Sequence, residues 1–181
     1  YDLRGGKLVN GASGQQLAFE ILGNNSAQEA LLLTYARGLE PLGIVARVRI
    51  VDSAQYQERL SSFDYDMIQN TWIASLSPGN EQLFRWSAAT RDSKGSFNFA
   101  GVANPAADAM IQAMLKATSQ DDFVSAVHAL DRVLLSGDYA IPLFHVPKQW
   151  IASWAHLKHP EKTPVFGYSL PPDTWWIEDV K

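Results

Sequence analysis

His156 and His159 stand in a His-x-x-His spacing that could begin a zinc site. A structural or catalytic zinc needs at least three protein ligands, and the neighbours Lys158, Pro160 and Lys162 point to a solvated loop, so no metal and no cofactor is expected. His128 lies in a helical pattern and His145 in a strand pattern, where a histidine satisfied within the fold is the expected role. Gly11-Ala12-Ser13-Gly14 matches a nucleophile elbow in composition alone, since it lacks Gly-x-Ser-x-Gly and a strand-to-helix junction. Gly5-Gly6 is followed by neither a helix nor a Gly-Lys-Ser/Thr, so it does not cradle phosphate. Asp64 and Asp66 share one face of a strand pattern, with Tyr65 and Met67 on the other, and read as a solvated strand start rather than paired acid and base. Asn24-Asn25-Ser26 fits a glycosylation sequon, but Ser26 already has a capping role. With no cysteine there is no thiolate nucleophile and no Cys-based metal site, and catalytic chemistry has weak support in the sequence.

The groups after Trp72 suit binding rather than proton transfer. Asn70, Ser75, Ser77 and Asn80 can donate and accept hydrogen bonds, Trp72 offers a flat apolar wall, and Gly79 lets a backbone approach a ligand. The plainer reading is a polar surface turn with Trp72 in the core.

That loop is positioned by a strand, helix, strand, helix, strand series. Lys7–Val9, the turn pair Asn10-Gly11 and Leu17–Leu22 read as a short hairpin entering the first main strand. Ser26 and Glu29 have capping-box spacing, and apolar residues then recur at helical intervals toward Gly43, with Pro41 forcing a stop. Positions 44–51 alternate as a strand, Ser53 caps a short helix carrying Tyr56 and Leu60, and a strand over 63–72 follows. Two consecutive strand-helix-strand units imply a parallel sheet, and open parallel sheets bind ligands beyond the carboxyl ends of their strands. A short helix is expected over 81–87, a longer one opened by Asn104-Pro105, and another from Ser119 to the stop at Gly137. Strands are expected over 139–146 and 149–154, with an irregular Pro- and Trp-rich tail over 156–181. Trp150, Trp154, Trp175 and Trp176 carry more apolar area than one lobe obviously needs; the alternatives are packing against absent parts of a longer protein, or core packing within the lobe.

The 181 residues are 46% hydrophobic and 19% charged, which is ordinary globular usage. A net charge of -4, with Arg47-Val48-Arg49 the longest basic feature, excludes a nucleic-acid surface. No apolar run approaches the roughly 20 residues of a membrane span. The start at Tyr1 lacks Met and reads as mid-protein, so the chain is taken as a fragment.

Phe19-Glu20-Ile21-Leu22, Glu29-Ala30-Leu31-Leu32-Leu33, Val48-Arg49-Ile50-Val51-Asp52, Phe63-Asp64-Tyr65-Asp66-Met67, Asn104-Pro105-Ala106-Ala107-Asp108 and Ile141-Pro142-Leu143 together resemble the C-terminal lobe of the family-five extracellular solute-binding proteins, receptors of peptide-importing ABC transporters. Ser75-Leu76-Ser77-Pro78-Gly79-Asn80-Glu81-Gln82 with Gly95-Ser96-Phe97-Asn98-Phe99 resembles the YejA-like branch. The resemblance implies an α/β fold, a periplasmic binding protein-like lobe with a mixed, mainly parallel sheet flanked by helices. Residues 1–181 would form the C-terminal ligand-binding lobe of a two-lobed protein, with 156–181 packing back toward a missing N-terminal lobe. It implies an oligopeptide or modified-peptide ligand, an ABC transporter permease as partner, and a periplasmic home with the signal peptide in the missing part. The implied ligand contacts are Asn70, Trp72, Ser75, Ser77, Asn80, Glu81, Asn98 and Phe99. Peptide receptors of this kind place an Asp where Ser75 stands, and a neutral hydroxyl cannot make the charge-assisted bond to a peptide amino terminus, so Glu81 or the missing lobe would have to substitute. The alternatives are a receptor for a non-peptide solute and, in a different class, a sensor or hydrolase domain.

Overall fold

A computed structural model describes residues 1–72, 77–145, 151–161 and 174–178. Positive φ at Gly5 (56°) and Gly6 (75°) reverses the chain between β1 (Asp2–Arg4) and β2 (Lys7–Val9), which pair antiparallel. The Asn10 turn is longer than the two-residue hairpin expected: Asn10 Oδ1 accepts from the N–H groups of Ala12 and Ser13, and Val9 bridges to Gln16.

The main sheet has the order β4-β3-β5, built from β3 (Ala18–Gly23), β4 (Val45–Ile50) and β5 (Met67–Ile68), all parallel. Its central strand is covered on both faces, with Ile21 1% and Leu22 0% exposed, as a parallel sheet between crossovers requires. The crossovers are α1 (Ser26–Leu39) and α2 (Ser53–Ser62). Both helices start one residue earlier than the sequence pattern suggests. Asn25 Oδ1 accepts from Gln28 N–H, and Asp52 Oδ1 accepts from the N–H groups of Ala54 and Gln55. Asn and Asp cap at least as well as Ser, so the better acceptor upstream takes the position.

The chain then passes through Gly43 (φ 74°), whose carbonyl accepts from Leu8 N–H at 2.9 Å and from the Gln16 side chain at 2.9 Å. A Cβ at this position would lie 2.5 Å from Leu8 N and 2.8 Å from Gly6 O, both backbone atoms. Gly43→Ala is therefore expected to destabilise the protein by about 2–3 kcal/mol, because it combines left-handed strain with a clash that no rotamer relieves. Urea unfolding of the full-length protein, wild type against variant, reads this directly.

The strand expected over 63–72 shrinks to two residues. Phe63 adopts φ 58° and ends α2 by donating its N–H toward Arg59 O and Leu60 O, and Asp64 N–H also bonds Arg59 O. Residues 63–65 thus terminate a helix instead of extending a ladder. Asp66 Oδ2 accepts the Glu20 N–H at 2.8 Å, taking up a sheet donor beside the short strand.

The second half of this unit is helical: α3 (Glu81–Trp86), α4 (Pro105–Lys116) and α5 (Gln120–Leu135). Asn104 and Ser119 cap the longer two as expected. α4 and α5 close over Val102, Ala107, Ile111 and Leu130, with Leu83, Trp86 and Tyr139 at the margin. A separate apolar cluster joins Leu22, Val51 and Tyr56 to Leu60, Tyr65 and Ile68.

The chain divides into two units, residues 1–73 with 79–139, and residues 74–78 with 140–181. The second unit corrects the sequence reading. Residues 139–145 and 151–154 form no strand, and the rest of those two expected strands lies outside the described residues. Ile141, Leu143 and Phe144 are all at least half exposed. Strand pairing appears instead where the tail was read as irregular, between β6 (Leu157–Lys158) and β7 (Trp176–Ile177).

Candidate functional site

The carboxyl end of β5 leads directly into the residues singled out for binding. Tyr56 donates its hydroxyl to Gln69 O at 3.3 Å, anchoring the chain just before Asn70, which is half-buried. Trp72 is 37% exposed, and its ring lies 5.4 Å from that of Trp86 at an interplanar angle of 43°. Trp86 is itself fixed, since it packs on the α4–α5 core and donates Nε1–H to Gln82 Oε1 at 2.9 Å. Trp72 is therefore neither a core residue nor a free surface side chain: one aromatic ring braces another, leaving part of the indole open to solvent. Such a braced, partly wet aromatic loses little entropy when it meets a ligand.

Ser75 lies outside the described residues. Ser77 is exposed and groups with the second unit. Asn80 is exposed at the start of α3, and its side chain makes no cap hydrogen bond to that helix. Glu81 folds back so that Oε1 accepts from Gly79 N–H at 2.9 Å and from the Gln82 side chain at 3.2 Å. Burial pulls the Glu81 pKa upward, but hydrogen bonds from Gly79 and from its own backbone N–H, the Gln82 amide and the charge of Arg85 outweigh it and hold the carboxyl below its ordinary value. A fixed negative charge results at the head of the loop.

Asn98 differs from expectation. It is 0% exposed; its amide donates to Ser87 O at 3.0 Å and Val102 O at 2.8 Å, and its Oδ1 accepts from Val102 N–H at 2.8 Å. Every polar atom of the side chain is committed inside the protein, so its amide has nothing left to offer a ligand. Phe99 contributes structurally through its carbonyl, which accepts the Tyr65 hydroxyl at 3.0 Å, while its ring meets exposed Phe97 edge-on at 5.9 Å. Burial, with a smaller effect from Tyr56, pushes the Tyr65 phenol up to about 12, so Tyr65 remains a donor through neutral pH.

Tyr56, Tyr65 and Trp86 are the supports that sequence reasoning missed. Both tyrosines sit in strand or helix patterns as ordinary apolar positions, and no spacing rule connects Trp72 to Trp86 across an irregular stretch. The two aspartates weighed as an acid-base pair are structural: Asp64 pairs with Arg59 Nε at 2.9 Å, and Arg59 Nη2 reaches Glu20 Oε1 at 2.8 Å. His156 stacks on Trp154, and His159 lies against Trp175 with Nδ1 2.9 Å from Pro160 O. Among the described residues, no three His, Cys, Asp or Glu side chains gather as a metal site.

No family model matches the chain. It is 57% identical over 164 residues to a candidate binding protein of Brucella suis, covering 91% of this chain and 26% of that protein. It is 49% identical over all 181 residues to the peptidoglycan-binding protein YepA of Agrobacterium fabrum, and 44% identical over 176 residues to a probable peptide-binding protein, YejA, of the same organism. These cover 29% and 28% of the relatives. The chain is thus similar over nearly its whole length to relatives named YejA and YepA. It spans less than a third of the length of the curated relatives it matches. Its fold is similar to that of the oligopeptide-binding protein AppA of Bacillus subtilis, solved with a nonapeptide, with a TM-score of 0.71 at 16% identity over 99% of this chain and 35% of that one. The parallel sheet flanked by helices is thus the fold that the YejA-like resemblance implied.

Proposed function

We propose that this chain is a ligand-contacting lobe of the substrate-binding component of an ABC importer, acting in the periplasm on oligopeptides or modified peptides and delivering them to a membrane permease. The observation that carries this reading is the 49% identity, without a break in coverage, to a protein named for peptidoglycan binding, alongside a relative named for peptide binding. The geometry agrees: a braced aromatic wall and an anchored carboxylate flank the loop at a strand end. The remaining lobe lies in the parent polypeptide, and closure of two lobes about a hinge buries the ligand. Backbone pairing to an extended peptide gives tolerance of varied side chains. A solute-binding protein has no bond to break, which accords with the structural roles of Asp64 and Asp66.

In this account Trp72 walls the cleft, Asn70 and Asn80 offer hydrogen bonds, and Ser75 and Ser77 supply hydroxyls. Glu81 is the charge that meets a ligand amino terminus in place of an Asp at position 75. Its lowered pKa means that the charged form is present throughout neutral pH and is lost only as pH falls through that depressed value. Calorimetric titration of the full-length protein with an oligopeptide and its N-acetylated twin tests this. Glu81→Gln should weaken binding of the free-amine peptide about tenfold at pH 7 and leave the acetylated peptide unchanged, a loss equal to one charge-assisted contact. Equal effects on both peptides would remove Glu81 from that role. Absence of binding to any peptide or peptidoglycan-derived peptide would overturn the functional reading itself.

A further inference from the structure

We propose that Tyr56 and Tyr65 act jointly as positioning residues, setting the spacing of Trp72 and Trp86 and with it the aromatic wall offered to a ligand. The affinity side of this inference rests on the ligand-binding reading given above, and the geometric side stands without it. Both tyrosines belong to one apolar cluster, whose other members, Leu22, Val51, Leu60 and Ile68, are aliphatic. Within that cluster only the two phenols can grip a backbone segment through a side-chain hydrogen bond. Tyr56 is 7% exposed on α2, and Tyr65 is half-buried just before β5. Burial raises the Tyr65 phenol to about 12 and Tyr56 adds to the shift, which marks the two as near neighbours. Burial raises Tyr56 too, so both hydroxyls stay protonated as donors through neutral pH.

The hydroxyls reach different segments. Tyr56 donates to Gln69 O at 3.3 Å, on the strand end that leads to Trp72. Tyr65 donates to Phe99 O at 3.0 Å. The adjacent Asn98 amide donates to Ser87 O at 3.0 Å, and Ser87 directly follows Trp86. The path closes where the two indoles meet, 5.4 Å apart at 43°. Each tryptophan is thus tied through a backbone carbonyl to one of two neighbouring phenols, and the packed cluster between the phenols holds the two ends at a set distance. A binding group needs such locked neighbours, because a side chain free to move loses affinity to ordering.

Other ties preserve the fold when a hydroxyl is removed. Gly95 N–H donates to Ser61 O at 2.9 Å, and Lys94 pairs with Glu58 at 3.4 Å, so the loop carrying Phe99 stays attached to α2. Tyr→Phe at either position keeps the ring in the cluster and deletes only the grip on Gln69 O or Phe99 O.

The test uses the full-length protein with Tyr56→Phe, Tyr65→Phe and the double substitution, each alone and combined with Trp72→Ala. Two indoles this close couple their electronic transitions, and the resulting circular-dichroism couplet is identified as the signal lost in Trp86→Phe. The couplet should shrink in each tyrosine variant while the helical signal stays at the wild-type level, and Tyr35→Phe on α1 should change neither. Calorimetric titration with one oligopeptide should show affinity about three- to tenfold lower in each tyrosine variant, and no further loss when Trp72 is already Ala. An unchanged couplet would overturn the proposal, as would an affinity loss that persists in the Trp72→Ala background, or a diminished couplet with wild-type affinity. A wild-type protein that binds no peptide overturns the functional reading instead, and the couplet then decides the geometric claim alone.

Discussion

Asn98→Ala is expected to lower the stability of the full-length protein by about 2–4 kcal/mol, because it strands two buried backbone groups at once. Val102 O and Val102 N–H both lose partners at 2.8 Å at a fully buried residue, whereas Ser87 O still accepts from Thr90 N–H at 3.0 Å and the Thr90 hydroxyl at 2.9 Å. Each orphaned group costs about 1–3 kcal/mol, and local relaxation recovers part of the sum. Asn98→Asp keeps the acceptor but loses both donated bonds and buries a charge, so it should be at least as damaging. Urea unfolding with an unchanged slope measures the loss, and calorimetry on the fraction still folded should show ligand affinity within about twofold of wild type. Unchanged stability with weakened affinity would return Asn98 to the ligand site.

For Trp72→Ala the balance reverses. Removing the indole should reduce ligand affinity by roughly ten- to a hundredfold, about 1.4–2.7 kcal/mol, as expected for an aromatic anchor at an interface. The stability cost should stay near 1 kcal/mol, since a partly exposed ring loses mainly its contact with Trp86. Trp72→Phe should recover part of the affinity by restoring a flat apolar face. Equilibrium titration of all three proteins with one oligopeptide, beside their unfolding curves, separates binding from folding.

Much of this architecture is legible in the chain because it is specified locally. Asn104-Pro105 opens α4, Ser119 opens α5, and the alternation over 44–51 reads as β4 without knowledge of its neighbours. The failures occur where tertiary contacts decide. Residues 63–66 carry a strand pattern, yet the left-handed turn at Phe63 and the grip of Arg59 on Asp64 spend them on ending α2. Residues 139–146 and 149–154 read as strands in the sequence, yet residues 139–145 and 151–154 form none. Of the candidate site, Trp72 and Glu81 were visible by residue type and by their place after a strand. The burial of Asn98 was hidden, because polar composition cannot distinguish an amide that faces a ligand from one that ties down its own loop. The bracing of Trp72 by Trp86 was hidden for a related reason: the two are joined only by folding.

A crystal structure of the full-length protein with a bound oligopeptide tests the central claim most directly. The account predicts ligand atoms within van der Waals contact of the Trp72 indole and the ligand's amino group within about 3 Å of the Glu81 carboxylate, a charge-assisted hydrogen-bond distance. A ligand seated elsewhere, with Trp72 and Glu81 facing only solvent, would contradict it.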